Sequence, residues 1–399
     1  MTRSFLIFLL ILINCISSQN KNPIVLVHGF MGWGEKEMGP YKYWGGWFDL
    51  VGELEKEGYT IFVASVGPVS SSWDRAIELY YQIKGGRIDY GKYHSEKYGL
   101  IQKPLEKDYK GLYPQWSEKN PLHFIGHSMG GQTIRMLDYL LNNVIQDSLG
   151  TLEKSKLLGK PNKGWIKSIT TLSTPHDGTT ISDFINAGIP FLQNFIALAG
   201  VAGNSFYDFD LEQWGFKRFK EESWINYFKR MKQHSIWDSK NTVAWDSSIE
   251  GAKEINSLCI ANPDVYYFSI TNYKTKIDED SGYHKPMKGM SNILKVQARL
   301  MGRKKAYYSD GTSTDSTWYL NDGVVNTVSM FGPTTGSSGP DPITEFRQGD
   351  LVIPGQWYVM GNYEFDHSAL IGHQMRKDEY PSLKKIYSDQ LKILWSLPN

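Results

Sequence analysis

Leu122-His123-Phe124-Ile125-Gly126-His127-Ser128-Met129-Gly130-Gly131 decides the reading of this chain. The apolar run at 122–125 predicts a buried strand, and 129–141 predicts a helix. Between them stands Gly-x-Ser-x-Gly. A serine on so sharp a strand-to-helix turn is strained, and side chains at the flanking positions would clash, so glycine keeps the turn tight. The turn lifts the Ser128 hydroxyl above the sheet edge, at the N-terminus of a helix. A tight glycine turn without chemistry is the alternative; a strand before and a helix after favour a nucleophile.

The pattern continues outward from this turn. Residues 24–27, Ile-Val-Leu-Val, form a short apolar run that leads into His28-Gly29-Phe30 and a glycine-rich stretch to Gly46. That is a buried strand feeding a loop. Residues 47–57 carry apolar side chains at helical spacing and stop at Gly58. Strands are predicted at 60–65, 166–172 and 265–270. Ser71-Ser72 caps a helix to about Tyr81, with Asp74 in its first turn. The last helix spans roughly 382–395. The segment 85–111 shows no clear period. Strands that are continuous apolar runs, alternating with helices, predict an α/β fold: a mostly parallel sheet with helices on both faces. No repeats and no linker interrupt it, so one domain with insertions is expected.

Composition narrows the function classes. The chain has 399 residues, 43 Lys plus Arg against 42 Asp plus Glu, and a net charge of +1. That balance excludes a strongly basic nucleic-acid binder. With 41% hydrophobic and 21% charged residues, disorder is not expected. Aromatic residues reach 14%, which suits either an apolar cleft or an aromatic core. Arg3, an apolar run at 5–13 and small residues at 16–18 predict a secretory signal peptide over residues 1–18, leaving 19–399 as the mature, extracellular domain. The run is shorter than the ~20 residues of a membrane span, and no later segment is long and apolar enough. Cleavage would remove Cys15 and leave Cys259 alone, without an internal disulfide.

A serine nucleophile needs a base, and the base an orienting carboxylate. In this chain order the acid and then the histidine follow the serine. The histidines after Ser128 are His176, His234, His284, His367 and His373. His367, after Phe365-Asp366, lies in a segment that could reach back over the sheet, and His373 is a close rival. For the acid, Asp322 stands in a turn before an apolar run, with Asp310 and Asp366 as rivals. Spacing does not choose among them. Two backbone N–H groups should stabilise developing negative charge. One comes from Met129, after the nucleophile, and the other from Phe30, beyond the first strand.

The chain resembles the large true lipases of bacilli and staphylococci, thermoalkaliphilic triacylglycerol lipases of α/β-hydrolase fold. The likeness covers nearly all of 19–399. Its anchors are Pro23 to Phe30, Tyr43-Trp44-Gly45-Gly46, Val66-Gly67-Pro68, Trp73-Asp74-Arg75-Ala76, Gly130-Gly131-Gln132-Thr133, Thr174 to Thr180, Asp322 to Met330 and Asp366-His367. The resemblance implies a triad of Ser128, Asp322 and His367, with Phe30 and Met129 at the oxyanion hole. It implies a secreted lipase that cleaves triacylglycerol esters at an oil–water interface. The alternatives are a phospholipase or short-chain carboxylesterase on the same fold, or a non-catalytic lipid-binding protein. It also implies a helical lid at about 179–215, where the apolar stretch at 181–207 could meet lipid. An inserted metal-site subdomain is implied too, with zinc held by two Asp and two His. Here Asp74, His94 and Asp246 match, but Leu100 takes the fourth position. Three ligands plus water can still hold zinc; alternatively, Asp74 pairs with Arg75 or another cation. The family's calcium carboxylates fall on Ala369 and Gln374. Without them no calcium is expected, and the His367 loop would rest on packing alone.

Overall fold

The computed structural model describes residues 20–35, 37–181, 211–216 and 219–399. Seven strands form the central sheet: β1 (Ile24–Val27), β2 (Ile61–Ala64), β3 (Leu122–His127), β4 (Ile166–Leu172), β5 (Tyr266–Asn272), β6 (Ile343–Glu345) and β7 (Trp357–Tyr363). Their order is β6-β7-β5-β4-β3-β1-β2, and every neighbouring pair is parallel. The helices are α1 (Leu50–Lys56), α2 (Ser72–Lys84), α3 (Lys92–Tyr98), α4 (Met129–Asn142), α5 (Trp224–Lys232), α6 (Val243–Asp246), α7 (Ile249–Leu258), α8 (Lys295–Met301) and α9 (Tyr380–Ser396).

The continuous apolar strands follow from burial on both faces. Successive strand side chains point to opposite sides. Val25 and Val27 join Phe124 and Ile169 in a core with Ile77 of α2, Ile134 and Leu137 of α4, and Ile255 of α7. Ile24 and Leu26 join Ile125, Leu172 and Phe268 in a second core with Leu50 of α1 and Leu383 and Leu391 of α9. All residues of β1 and β3 are therefore buried. The aromatic excess is largely structural: Trp44, Trp116, Trp214 and Trp357 are among the largest fully buried side chains.

Several elements differ from the expectation. β6 and β7 are an additional pair at one edge. Their pattern is weak, because β6 has three residues and the β7 ladder shifts register between Val359 and Gly361. The segment 85–111 holds α3 and a two-stranded ladder of Gly86–Arg87 with Asp108–Tyr109, each too short to show a period. α1 starts after Asp49, which accepts from the Gly52 N–H, and Trp47 is left exposed. The expected signal peptide, and most of the expected lid (182–210), lie outside the described residues; 179–181 and 211–216 flank the latter. Among the described residues, no helix is long and apolar enough to cross a membrane.

Register sets the site. Val27 of β1 pairs with Gly126 of β3, and His127 of β3 pairs with Leu172 of β4. The loops after β1, β3 and β4 therefore leave the sheet side by side at its carboxyl edge, where parallel α/β sheets place their ligands.

Candidate active site

Ser128 sits between β3 and α4 with φ 56° and ψ −128°, a left-handed conformation that side chains rarely adopt. The neighbouring glycines permit it. A Cβ on Gly126 would come within 2.5 Å of the Gly130 and Gly131 backbone, and one on Gly130 would strike the Val27 carbonyl oxygen. One on Gly131 would strike the Thr174 hydroxyl. The Ser128 N–H donates to the Leu172 carbonyl at 2.8 Å, and the Thr174 hydroxyl donates to the Ser128 carbonyl at 2.9 Å. The elbow is thus clamped to β4. The Ser128 side chain makes no capping bond to α4, which leaves its hydroxyl to other work.

Two distant loops bring an acid and a base together. His367 Nδ1 lies 2.7 Å from Asp322 Oδ2, and the His367 N–H donates to the Asp322 carbonyl at 3.1 Å. Asp322 is fully buried, so its charge must be met by donors. Its Oδ1 accepts from the Val324 N–H at 2.8 Å and the Val325 N–H at 2.7 Å, and Oδ2 also accepts from Asn272 Nδ2 at 3.2 Å. A carboxylate so held keeps the His367 proton on Nδ1, leaving Nε2 as the free nitrogen. The His367 ring stands 4.6 Å from the ring of His127, next to Ser128 in the chain.

The loop after β1 runs against the nucleophile. A Cβ on Gly29 would lie 2.7 Å from Ser128 Cβ. Phe30 follows, and its N–H has no acceptor among the described residues. Met31 turns back at φ 53° and donates to the Pro68 carbonyl at 3.0 Å. Met129 is the first residue of α4, and its N–H belongs to the set without an intrahelical acceptor. Arg75 braces this region: Nε donates to Thr133 Oγ1 at 2.8 Å, Nη1 to the Gly67 carbonyl at 2.8 Å, and Nη2 to the His28 carbonyl. Burial, then the Arg75 charge, pushes His28 down to about 3, so it stays neutral.

The rival residues do other work. His373 stacks on Trp33 at 5.5 Å and bonds through Nε2 to the Tyr43 carbonyl at 2.9 Å. His176 is fully buried between Thr171 and Trp357. His234 caps a turn at the Ile236 N–H, and His284 lies in a hairpin with Ile277. Asp310 is at the surface beside Lys253. Asp366 accepts from the N–H groups of Ser291, Ser368 and Ala369, which fixes the turn that carries His367.

The positions matched to metals show a different arrangement. His94 Nε2 bonds Asp74 Oδ1 at 2.7 Å, and Asp74 Oδ2 accepts from Asn241 Nδ2 at 2.9 Å. Asp74 thus pairs with His94, not Arg75. Asp246 Oδ2 accepts from the Ser72 N–H at 2.5 Å. Burial pushes the Asp246 carboxyl up to about 7. Leu100 packs into an apolar cluster with Met129 and Trp214. Among the described residues, no group of three or more His, Cys, Asp or Glu could hold a metal ion. In this arrangement Asp74 and His94 bond each other, and Leu100 supplies no fourth ligand. At the calcium positions, Ala369 offers no side-chain oxygen, and Gln374 Oε1 accepts from Ser291 Oγ at 2.7 Å. The expectation that packing alone steadies the His367 loop needs correction: Ser291 ties it down through both Asp366 and Gln374.

Comparisons with known proteins place the chain in a family. A family model described as "Lipase-like, C-terminal domain" matches residues 20–388. Lipase 2 of Staphylococcus aureus is 36% identical over 331 residues, 80% of this chain and 46% of its own length. Lipase 1 of the same species, strain MRSA252, is 36% identical over 366 residues, 89% of this chain and 51% of its own. The chain therefore spans about half the length of these curated relatives. Among solved structures, EstA of Clostridium botulinum superposes with a TM-score of 0.84 at 40% identity, covering 97% of this chain and 90% of that one. Staphylococcus hyicus lipase gives 0.84 at 34%, covering 95% and 97%.

Proposed function

The chain belongs to the lipase-like C-terminal domain family, and from that premise we propose that it is a secreted serine lipase that hydrolyses triacylglycerols. Ser128 Oγ attacks the ester carbonyl as His367 Nε2 takes its proton. Asp322 holds the imidazole in the tautomer this needs and stabilises the imidazolium that forms. The Phe30 and Met129 N–H groups receive the oxyanion. Collapse of the intermediate breaks the bond to the alcohol, which leaves with the His367 proton. Water, deprotonated by His367, then attacks the acyl-enzyme and frees the fatty acid. No step requires a metal.

The observation that carries this reading is the 2.7 Å His367–Asp322 pair beside a serine elbow with φ 56°. The near-neutral net charge suits an uncharged ester. The test is a pH-stat survey of tributyrin, triolein and phosphatidylcholine with the full chain and with Ser128→Ala. The triacylglycerols should be hydrolysed fastest, and the variant should fall to background. Preference for phosphatidylcholine would make it a phospholipase, tributyrin alone a short-chain esterase, and activity in Ser128→Ala would remove the assignment.

A further inference from the structure

A buried polar chain links three parts of the site through residues the mechanism does not use. The Gly29 N–H donates to Tyr43 Oη at 2.8 Å. Tyr43 Oη lies 2.7 Å from His127 Nδ1. His127 Nε2 lies 3.1 Å from the His367 carbonyl oxygen. All three residues at these joints are nearly sealed from solvent, with Tyr43 5%, His127 2% and His367 8% exposed.

The direction of every proton follows from donor inventory. A carbonyl oxygen only accepts, so His127 carries its proton on Nε2. Its Nδ1 must then accept, and the only proton offered is that of the Tyr43 hydroxyl. Tyr43 in turn accepts from Gly29, which has nothing but an N–H to give there. One arrangement satisfies all four groups. Burial favours a neutral His127 and a protonated Tyr43 phenol, which agrees with this arrangement. The chain's ends are functional: Gly29 precedes Phe30 at the proposed oxyanion hole, and His367 is the proposed base. Its middle residue, His127, precedes the nucleophile.

We infer that Tyr43 and His127 are positioning residues, a hydrogen-bonded brace that fixes the oxyanion loop and the base's loop against the serine elbow. The inference rests on the hydrolase reading above. The Tyr43 ring also packs edge-on against His28, Trp33 and Trp44, so removing only its hydroxyl leaves the packing in place. What is lost is registry between three loops. Errors of about 1 Å in such registry cost on the order of 100-fold in rate, while ground-state binding of the ester is little changed.

The test is Tyr43→Phe in the full chain, with kcat and KM on a soluble chromogenic ester and the rate of fluorophosphonate labelling. The brace predicts a fall in kcat of roughly 10-fold or more, a KM within about twofold, and a parallel fall in labelling. His127→Leu should cost a similar factor, and the double variant should cost no more than the worse single one, since both break one chain. Wild-type kcat in a folded Tyr43→Phe protein, with activity still dependent on Ser128, would overturn the brace alone. Loss of Ser128 dependence in the wild type would instead defeat the hydrolase reading. Isotope-labelled histidine NMR of the wild type tests the brace whatever the variants do. His127 should appear as the neutral Nε2–H tautomer even at about pH 5, below the ~6.5 of an ordinary imidazole. An Nδ1–H tautomer or a charged ring would overturn it.

Discussion

Asp322→Asn changes one atom of the acid and should remove almost all activity. Asp322 presents acceptors in every direction: Oδ1 to the Val324 and Val325 N–H groups at 2.8 and 2.7 Å, Oδ2 to His367 Nδ1 at 2.7 Å and Asn272 Nδ2 at 3.2 Å. Asparagine has one acceptor oxygen and one donor NH2. If the oxygen stays with the two backbone N–H groups, the NH2 faces the Asn272 amide and His367. His367 must then accept at Nδ1, its proton moves to Nε2, and it cannot take the proton of Ser128. If the amide flips, its NH2 opposes two buried backbone donors, which costs about 1–3 kcal/mol per unsatisfied group. The first outcome is the cheaper one. The same swap in a serine hydrolase triad lowers kcat on the order of 10⁴-fold, about 5.4 kcal/mol at 1.36 kcal/mol per tenfold. The assay is kcat and KM on a chromogenic ester, with circular dichroism as the fold control. A folded variant within tenfold of wild-type kcat would refute the tautomer argument.

Other outcomes follow from the same structure. Gly130→Ala would drive a methyl group into the Val27 carbonyl and within 2.8 Å of the His28 carbonyl. It should cost about 1–3 kcal/mol in denaturant unfolding, and wild-type stability would contradict the packing described. Calcium should leave the melting temperature unchanged, and Ser291→Ala should lower stability by about 1 kcal/mol through its lost bond to Gln374. A calcium-dependent rise in melting temperature would contradict the first statement. A chelator should leave the melting temperature unchanged, because Asp74 and His94 satisfy each other; a fall would show a structural metal. His123 is buried between Ser168 and Asn20 and is pushed down to about 3, first by burial. Its folded value lies below its unfolded value, so the stability it confers is full above ~6.5 and is lost as pH falls toward about 3. His123→Gln should show a shallower loss of melting temperature between these limits, and parallel curves would contradict this.

Much of the site could be read from residues close in the chain. β1 was legible because a parallel strand covered on both faces can be an unbroken apolar run, as in 24–27, and β4 because Ile166, Ile169 and Leu172 stand among β-branched threonines. The elbow was legible because its glycines and flanking elements are contiguous. β6 and β7 were not, since an edge strand of three residues and one interrupted near Gly361 carry little pattern. The choice between His367 and His373 was closed to spacing. The Asp366 turn directs one ring toward Asp322, while the other fits beneath Trp33, and both outcomes depend on loops far away in sequence. The brace was equally hidden, as Tyr43 and His127 are 84 residues apart. Leu100 was the clearest local departure, and its place in the apolar cluster with Met129 explains what fills the position.

The central claim is that Ser128 is the nucleophile, and covalent capture tests it most directly. The full chain treated with a fluorophosphonate should gain the mass of one phosphonyl group, and peptide mapping should place it on Ser128. The Ser128→Ala chain should remain unlabelled. Labelling at another residue, or equal labelling of the Ser128→Ala chain, would contradict the account.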